Sequence, residues 1–222
     1  MRVVITAATA GEWMPLSQQI NSLYTGESNG FKVSFHQSGV GMLSSSVALT
    51  RLAIEEKPDL IIQAGIAGCF DNTSVLGKVV AIKDDLAADI GVTESGEWKD
   101  IFDLKLEEPN STPYQEKKLP NNFLDKYNLL KLPEVSAITI NEITTSPQRA
   151  QELIKKYGPF IESMEGAALH YVGRTFNIPF IQIRATSNYI GERNKANWKI
   201  KESICNLNQS LLKYIDKLYT TA

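Results

Sequence analysis

The chain has 222 residues, 43% of them hydrophobic, and a formal net charge of −2 at pH 7. That length supports one sizeable core, and a near-neutral charge with no basic run leaves no electrostatic footprint for nucleic acid or an anionic membrane surface. No apolar stretch approaches the roughly 20 residues that span a bilayer, and the N-terminal run "MRVVITAATAGEW" is too short for a signal-peptide core, so a cytoplasmic protein with neither kind of partner is expected.

In chain order, the apolar, β-rich runs at 2–8, 31–39, 59–65, 78–86, 135–141, 159–164 and 179–185 predict strands. Helical patterns fall at 12–24, 42–57, 147–157, 165–177 and near 196–219, the third opened by Ser146-Pro147. Such βα alternation predicts a single α/β domain spanning residues 1–222, with a mostly parallel sheet, helices on both faces and a site at the carboxyl ends of the strands. Residues 92–120 are polar, punctuated by proline and without a clean period. Trp98, Phe102 and Tyr114 make this excursion too aromatic for a solvated loop, and they are expected to bury a homodimer interface and cover one end of a ligand. Cys69 and Cys205, like His36 and His170, lie far apart with no ligand-pair spacing, so neither a disulfide nor a metal is expected, and no cofactor.

The strand ends define a candidate site. The first delivers Ala7-Ala8-Thr9 and then Glu12, the second Ser38-Gly39-Val40-Gly41, and the third Ala64-Gly65-Ile66-Ala67-Gly68. The sixth meets Ser163-Met164-Glu165-Gly166 and the last Thr186-Ser187-Asn188. Small residues at strand-to-helix turns let backbone amides approach a ligand, and Glu12 and Glu165 supply carboxylates at the same rim. Each feature also has a plainer reading. Gly39-x-Gly41 lacks the third glycine of a dinucleotide fingerprint, having Ser44 there, and it follows the second strand. Gly65-x-x-Gly68 alone reads as a tight turn, and Glu12 as a favourable acid in the first turn of a helix. His36 and His170 read as packing or surface residues, and Ser44-Ser45-Ser46 as a helix start.

Taken together, the stretches Met1–Glu12, "SGVG" (38–41), "AGIAG" (64–68), "SMEGAAL" (163–169) and "IRATSN" (183–188) occur in the order and spacing of the purine nucleoside phosphorylase superfamily. Over nearly its whole length the chain resembles the nucleosidase branch of that family. The resemblance implies a three-layer αβα sandwich around a central mostly parallel, mixed twisted sheet. It also implies that Glu12 positions and activates the attacking water, that Met164 and Glu165 hold the ribose, and that Arg184 stands near the water. The backbone of Gly65, Ile66, Ala67 and Gly68 belongs to the same substrate-binding set, and the loop 141–145, with Ile143 and Thr144, lies against the purine. Asn188 takes the position of the aspartate that donates a proton to ring nitrogen 7 of adenine, and this is a departure.

Cleaving an N-glycosidic bond passes through an oxocarbenium-like state, which needs cationic character stabilised on the sugar, a presented water, and negative charge accommodated on the leaving base. Glu165 and Glu12 suit the first two tasks. For the third, adenine offers a donor and an acceptor, whereas a 6-oxopurine offers two acceptors, for which the amide of Asn188 has donors. "ATAGEW" and "AGIAGCF" contain none of the arginines with which family phosphorylases hold phosphate, so water is the expected nucleophile. Within the nucleosidase branch the resemblance implies, in keeping with a 6-oxopurine leaving base, hydrolysis of futalosine with release of hypoxanthine, in the alternative menaquinone pathway. The alternatives are a nucleosidase for methylthioadenosine, S-adenosylhomocysteine or aminofutalosine, and a non-catalytic nucleoside-binding protein, against which the presence of both Glu12 and Glu165 argues. The carboxylate of futalosine needs a cationic partner, for which Arg193 or Lys195 is nearest in sequence. A homodimer or higher homo-oligomer is expected from the resemblance.

Overall fold

Along the first strand, Val3 and Ile5 are buried on one side and Val4 on the other, so this strand is covered on both faces. The computed structural model describes residues 1–20, Tyr24 and 30–221. Its elements are β1 (Arg2–Ala7), α1 (Ala10–Gln19), β2 (Lys32–Gln37), α2 (Met42–Glu55), β3 (Leu60–Cys69), β4 (Val79–Asp85), β5 (Gly91–Glu94) and β6 (Glu97–Asp100). There follow β7 (Leu119–Pro120), α3 (Leu124–Tyr127), β8 (Glu134–Thr139), α4 (Pro147–Tyr157), β9 (Ile161–Ser163), α5 (Gly166–Phe176), β10 (Phe180–Tyr189) and α6 (Ile200–Thr221).

The main sheet has eight strands in the order β10-β4-β8-β9-β3-β1-β2, with β7 on β4. β10 also pairs with β3, so β3, β10, β4, β8 and β9 close on themselves while β1 and β2 extend the sheet. β2, β1, β3 and β10 run parallel, whereas β4 lies antiparallel to β10 and β9 antiparallel to β3, which makes the sheet mixed. Leu16 of α1 and Leu207, Leu211, Tyr214 and Ile215 of α6 cover one face, against Val3, Ile5 and Ile62. Leu49 and Leu52 of α2 and Leu169 and Val172 of α5 cover the other, against Val4 and Ile61. This is the three-layer αβα arrangement, with β1, β3 and β10 placing apolar side chains against both helical layers. No helix among the described residues is long and apolar enough to cross a membrane. Cys69 is buried and Cys205 exposed, both as free thiols.

Several expectations are corrected. The third and last strands do not end at Gly65 and Ala185, because their parallel ladder continues to Gly68↔Asn188 and Cys69↔Tyr189. The small residues 64–68 are therefore strand, not a strand-to-helix turn. The first helix starts at Ala10 rather than residue 12, and residues 21–23 of the expected 12–24 lie outside the described residues. The excursion at 92–120 holds a hairpin, β5–β6, and its aromatics contact other residues of this chain. Phe102 is buried with its ring 5.1 Å from that of Tyr114, and Trp98 Nε1 donates to the Tyr157 hydroxyl at 3.0 Å. None of the three lines the cavity described next, so in this chain they cover no part of it.

Candidate active site

A cavity of ≈ 370 Å³ opens where β1, β3 and β10 end and β9 runs into α5. Of the residues singled out in the sequence, Glu12, Ile66, Ala67, Gly68, Ile143, Thr144, Met164, Glu165 and Asn188 line it. Gly65, Arg184 and Lys195 do not, whereas Arg193 does.

Glu12 is held from both ends of its carboxylate. Oε2 accepts from the Thr9 amide at 3.1 Å, at the N-terminus of α1, and Oε1 accepts from the Ile66 amide of β3 at 3.2 Å. The helix-start reading of Glu12 thus holds together with its place on the cavity wall. Pro15 interrupts α1 from within, and the amide of Asn208 from α6 inserts into its ladder. Asn208 Nδ2 donates to the Glu12 carbonyl at 2.8 Å, and its Oδ1 accepts from the Leu16 amide at 2.9 Å. The backbone of Glu12 is thereby tied to the far helix. Nothing in the local sequence of α1 signals this contact, because the partner is 196 residues away.

Glu165 follows β9 and is almost fully buried, its Oε1 accepting from the Gly41 amide at 3.1 Å. Arg184 is 1% exposed, so it lies beneath the cavity floor rather than on it. Its Nη2 lies 3.6 Å from Glu165 Oε2 and donates to Gln63 Oε1 at 3.2 Å. Gln63 in turn donates to the Glu165 carbonyl at 3.4 Å. Arg184 and Gly65 are register partners in the β3–β10 ladder, and a Cβ on Gly65 would lie 2.1 Å from Arg184 Nη1. Gly65 therefore serves the site by leaving room for the guanidinium, not by touching a ligand. The buried charge of Arg184 is set against the carboxylate of Glu165.

Asn188 owes its orientation to a bulge. In the β3–β10 ladder Thr186 pairs with Ala67 and Asn188 with Gly68, leaving Ser187 as an extra residue. The extra residue turns Asn188 to the same face as Gly68, as bulges beside sites commonly do. Asn188 Nδ2 donates to the Tyr189 carbonyl at 3.1 Å, and Oδ1 accepts from the Ser187 hydroxyl at 2.8 Å. A carbonyl can only accept, so the amide nitrogen must face Tyr189 and its oxygen Ser187. One acceptor site of Asn188 Oδ1 is thus engaged within the chain by the Ser187 hydroxyl, which also lies 3.2 Å from the Ala67 carbonyl, and the nitrogen keeps a second hydrogen to donate.

Two further buried carboxyls escaped the sequence reading. Asp85 is fully buried and accepts from Thr139 Oγ1 and the Leu86 amide, at 2.9 and 2.8 Å. Burial pushes its pKa up to about 7 against those bonds and the charge of Arg184. The Gln182 amide links it to the site: its nitrogen donates to Asp85 Oδ2 and His170 Nε2, and its oxygen accepts from Arg184 Nε. His170 is thus a satisfied buried residue rather than an acid or base. Glu162 lines the cavity, with Oε1 accepting from the Thr144 amide at 3.1 Å. Asp85 and Glu162 each stand in a strand pattern, and their burial depends on partners distant in sequence, Thr139 and Gln182 for Asp85 and Thr144 for Glu162. Among the described residues, no group of His, Cys, Asp and Glu has an arrangement that could hold a metal ion.

Comparison with known proteins places the chain in a family. The family model of the phosphorylase superfamily matches residues 2–216, and the chain belongs to that superfamily. Futalosine hydrolase of Thermus thermophilus is 26% identical over 171 residues, which covers 76% of this chain and 74% of the relative. The 5′-methylthioadenosine/S-adenosylhomocysteine nucleosidase of Maridesulfovibrio salexigens is 27% identical, covering 76% and 73%. Among solved structures, that nucleosidase from Helicobacter pylori, in complex with a pyrrolopyrimidine-bearing pyrrolidinol, aligns with a TM-score of 0.79 at 14% identity over 98% of both chains. A futalosine hydrolase mutant from the same species gives 0.79 at 15% identity over 98% of this chain and 99% of the other. These structural matches show the fold. The relatives are N-glycosyl hydrolases, and this chain is an enzyme of that nucleosidase class.

Proposed function

We propose that this nucleosidase hydrolyses futalosine, releasing hypoxanthine and leaving the sugar with a hydroxyl from water. The observation that carries the reading is the amide of Asn188, whose oxygen is engaged by Ser187 and whose nitrogen remains a donor. A 6-oxopurine presents two acceptors on the edge bearing O6 and nitrogen 7, and a donor there stabilises the charge that develops on the departing base. Glu12, on the cavity wall, polarises the attacking water, and Glu165 accepts hydrogen bonds from the ribose hydroxyls as the sugar gains cationic character. Among the described residues lining the cavity Arg193 is the one cation, and it stands over the Trp198 ring at 5.5 Å. It is the better partner for the carboxylate of futalosine than Lys195, which lies outside the lining.

A second reading is hydrolysis of methylthioadenosine or S-adenosylhomocysteine. It is favoured by the apolar wall of Ile190, Trp198, Ile200 and Ile204, which suits an alkylthio group, and by the names of several relatives. The test is to incubate the protein with futalosine, aminofutalosine, methylthioadenosine and inosine, with and without phosphate, and to identify the released base by chromatography. Hypoxanthine from futalosine without a phosphate requirement is the expected result. Adenine from methylthioadenosine, with futalosine untouched, would select the second reading.

A further inference from the structure

Next to Glu165 lies a buried polar cluster that the proposed roles leave unused. Asp85 at the end of β4, Thr139 at the end of β8, Gln182 on β10 and His170 on α5 are all fully buried. Glu165 is the N-cap of α5, and the first residue of that helix, Gly166, sits directly on the cluster. A Cβ on Gly166 would lie 2.1 Å from Asp85 Oδ2 and 2.3 Å from the Gln182 amide, so the helix start meets the cluster across a space that glycine leaves open. Neither Asp85 nor Gln182 lines the cavity.

The hydrogen bonds fix the orientation of Gln182. His170 Nδ1 lies 2.6 Å from the Leu119 carbonyl, which can only accept, so Nδ1 carries the proton and Nε2 is a bare acceptor. Burial holds His170 in that neutral form, its pKa lowered to about 4. The Gln182 nitrogen donates one hydrogen to His170 Nε2 at 2.9 Å and the other to Asp85 Oδ2 at 3.2 Å, while its oxygen accepts from Arg184 Nε at 3.1 Å. Arg184 in turn sets Nη2 3.6 Å from Glu165 Oε2. A chain of contacts thus runs from Asp85 through Gln182 and Arg184 to the carboxylate of Glu165.

Both oxygens of Asp85 receive donors, Oδ1 from the Leu86 amide and the Thr139 hydroxyl and Oδ2 from Gln182. Three donors match an ionised carboxylate. A proton on Oδ2 sets an O–H against the N–H of Gln182, and the amide can accept it only by turning over, which puts its nitrogen against the Nε–H of Arg184. A proton on Oδ1 finds its acceptor in the Thr139 hydroxyl oxygen, which already accepts from the Ala167 amide of α5 at 2.7 Å. Either way the change reaches Arg184 or the start of α5. Burial disfavours the ionised form of Asp85 and the charge of Arg184 favours it. The other titratable groups beside the cluster, His170 and Glu165, stand on the α5 side, and Asp84, the neighbour on β4, is engaged by Lys118 and Ser136.

We infer that ionised Asp85 is a positioning residue for the reaction: it locks the Gln182 amide in the orientation that holds Arg184 against Glu165, and so sets the carboxylate that faces the sugar. Protonation of Asp85 releases that lock, so the hold on the ribose follows the titration of a group that does not touch substrate. The inference rests on the reading of Glu165 as the ribose residue and is independent of which base leaves.

The test is the pH dependence of kcat/KM, from about pH 5.5 to about pH 8.5, for the nucleoside that the parent cleaves fastest, in the parent, Asp85→Asn and Gln182→Leu. Asparagine keeps the size of aspartate and is neutral at every pH, as protonated Asp85 is; leucine cuts the link and leaves Asp85 in place. In the parent, kcat/KM should rise about tenfold through a step near the pKa of Asp85, which burial raises to about 7, and the rise should be carried by a fall in KM. Above the step both variants should show a KM about tenfold higher than the parent, with kcat less affected, and both should lack the step. Below it, Asp85→Asn and the parent should converge. A role in stability alone would instead lower activity by one factor at every pH and leave the step in place. A parent profile without the step overturns the inference whether or not the variants fold. A step that persists in either variant overturns it too, by assigning the titration to another group, and Gln182→Leu serves where Asp85→Asn does not fold. Glu165→Ala judges the underlying reading separately: an unmoved KM there removes the role of Glu165, whereas a raised KM with a pH step indifferent to Asp85 and Gln182 keeps that role and removes the inference.

Discussion

The Arg184 guanidinium lies beside the α-carbon of Gly65, with Nη2 3.6 Å from Glu165 Oε2, so one buried cation underlies the carboxylate assigned to the ribose. A methyl group on Gly65 would lie 2.1 Å from Arg184 Nη1 and 3.1 Å from Glu12 Oε1, and Arg184 has no solvent into which to retreat. Gly65→Ala should therefore destabilise the protein by about 1–3 kcal/mol through overpacking and raise KM by displacing Glu165. Urea unfolding and steady-state kinetics check the two parts, and a variant with parental midpoint and KM would contradict this packing.

Glu12 and Glu165 should separate kinetically. Glu12→Gln keeps the shape at the α1 start and removes the charge facing the water, so kcat should fall by about 10²-fold or more with little change in KM. Glu165→Ala removes the contact to the sugar and leaves Arg184 without its carboxylate, so kcat should fall and KM rise together. Near-normal turnover in Glu12→Gln would dismiss its assigned role.

Asn208 acts at a distance on the same carboxylate. Asn208→Ala takes the inserted amide out of the α1 ladder and leaves the Leu16 amide and the Glu12 carbonyl without that partner, both buried beneath α6. A loss of about 1–3 kcal/mol in stability is expected, with a lower kcat and an unchanged preference among bases. Kinetics on two substrates with different bases reads the preference.

The base preference itself tests Asn188. Asn188→Asp sets an acceptor against the two acceptors of a 6-oxopurine, so kcat/KM for futalosine should fall steeply while the ratio moves toward a 6-amino substrate. Asn188→Ala removes the contact without adding repulsion and should lose less discrimination. If the aspartate variant handles both substrates as the parent does, Asn188 serves only the β10 bulge.

Stability should depend on pH through Asp85. Its folded pKa of about 7 exceeds the unfolded value of about 3.9, so between those values the folded state holds a proton that the unfolded state has released. This contribution makes stability fall as pH rises from about 4 to about 7, by at most about 1.4 kcal/mol per pH unit, with no further slope outside that window. Asp85→Asn should flatten this part of the profile, and urea midpoints from pH 4.5 to 7.5 would show it.

Much of this was legible in the chain alone. Each strand and helix that carries a site residue announces itself by period and by its glycine or proline boundaries, because local sterics and burial of an apolar face act over a few residues. Glu12, Glu165 and Asn188 could be picked out because each follows an apolar strand with a polar group that burial alone would not favour. Other features depended on strands from distant parts of the chain meeting. The ladder from β3 to β10 turned an apparent turn at 64–68 into strand, and the single extra residue Ser187 decided which way Asn188 faces. The resemblance puts Arg184 near the water, but its burial shows only in the fold, where Gly65 of another strand leaves the space beside it. Glu162 was unremarkable in sequence for the same reason: a strand has two faces, and only its pairing with Gly68 puts this carboxylate on the face that carries Asn188.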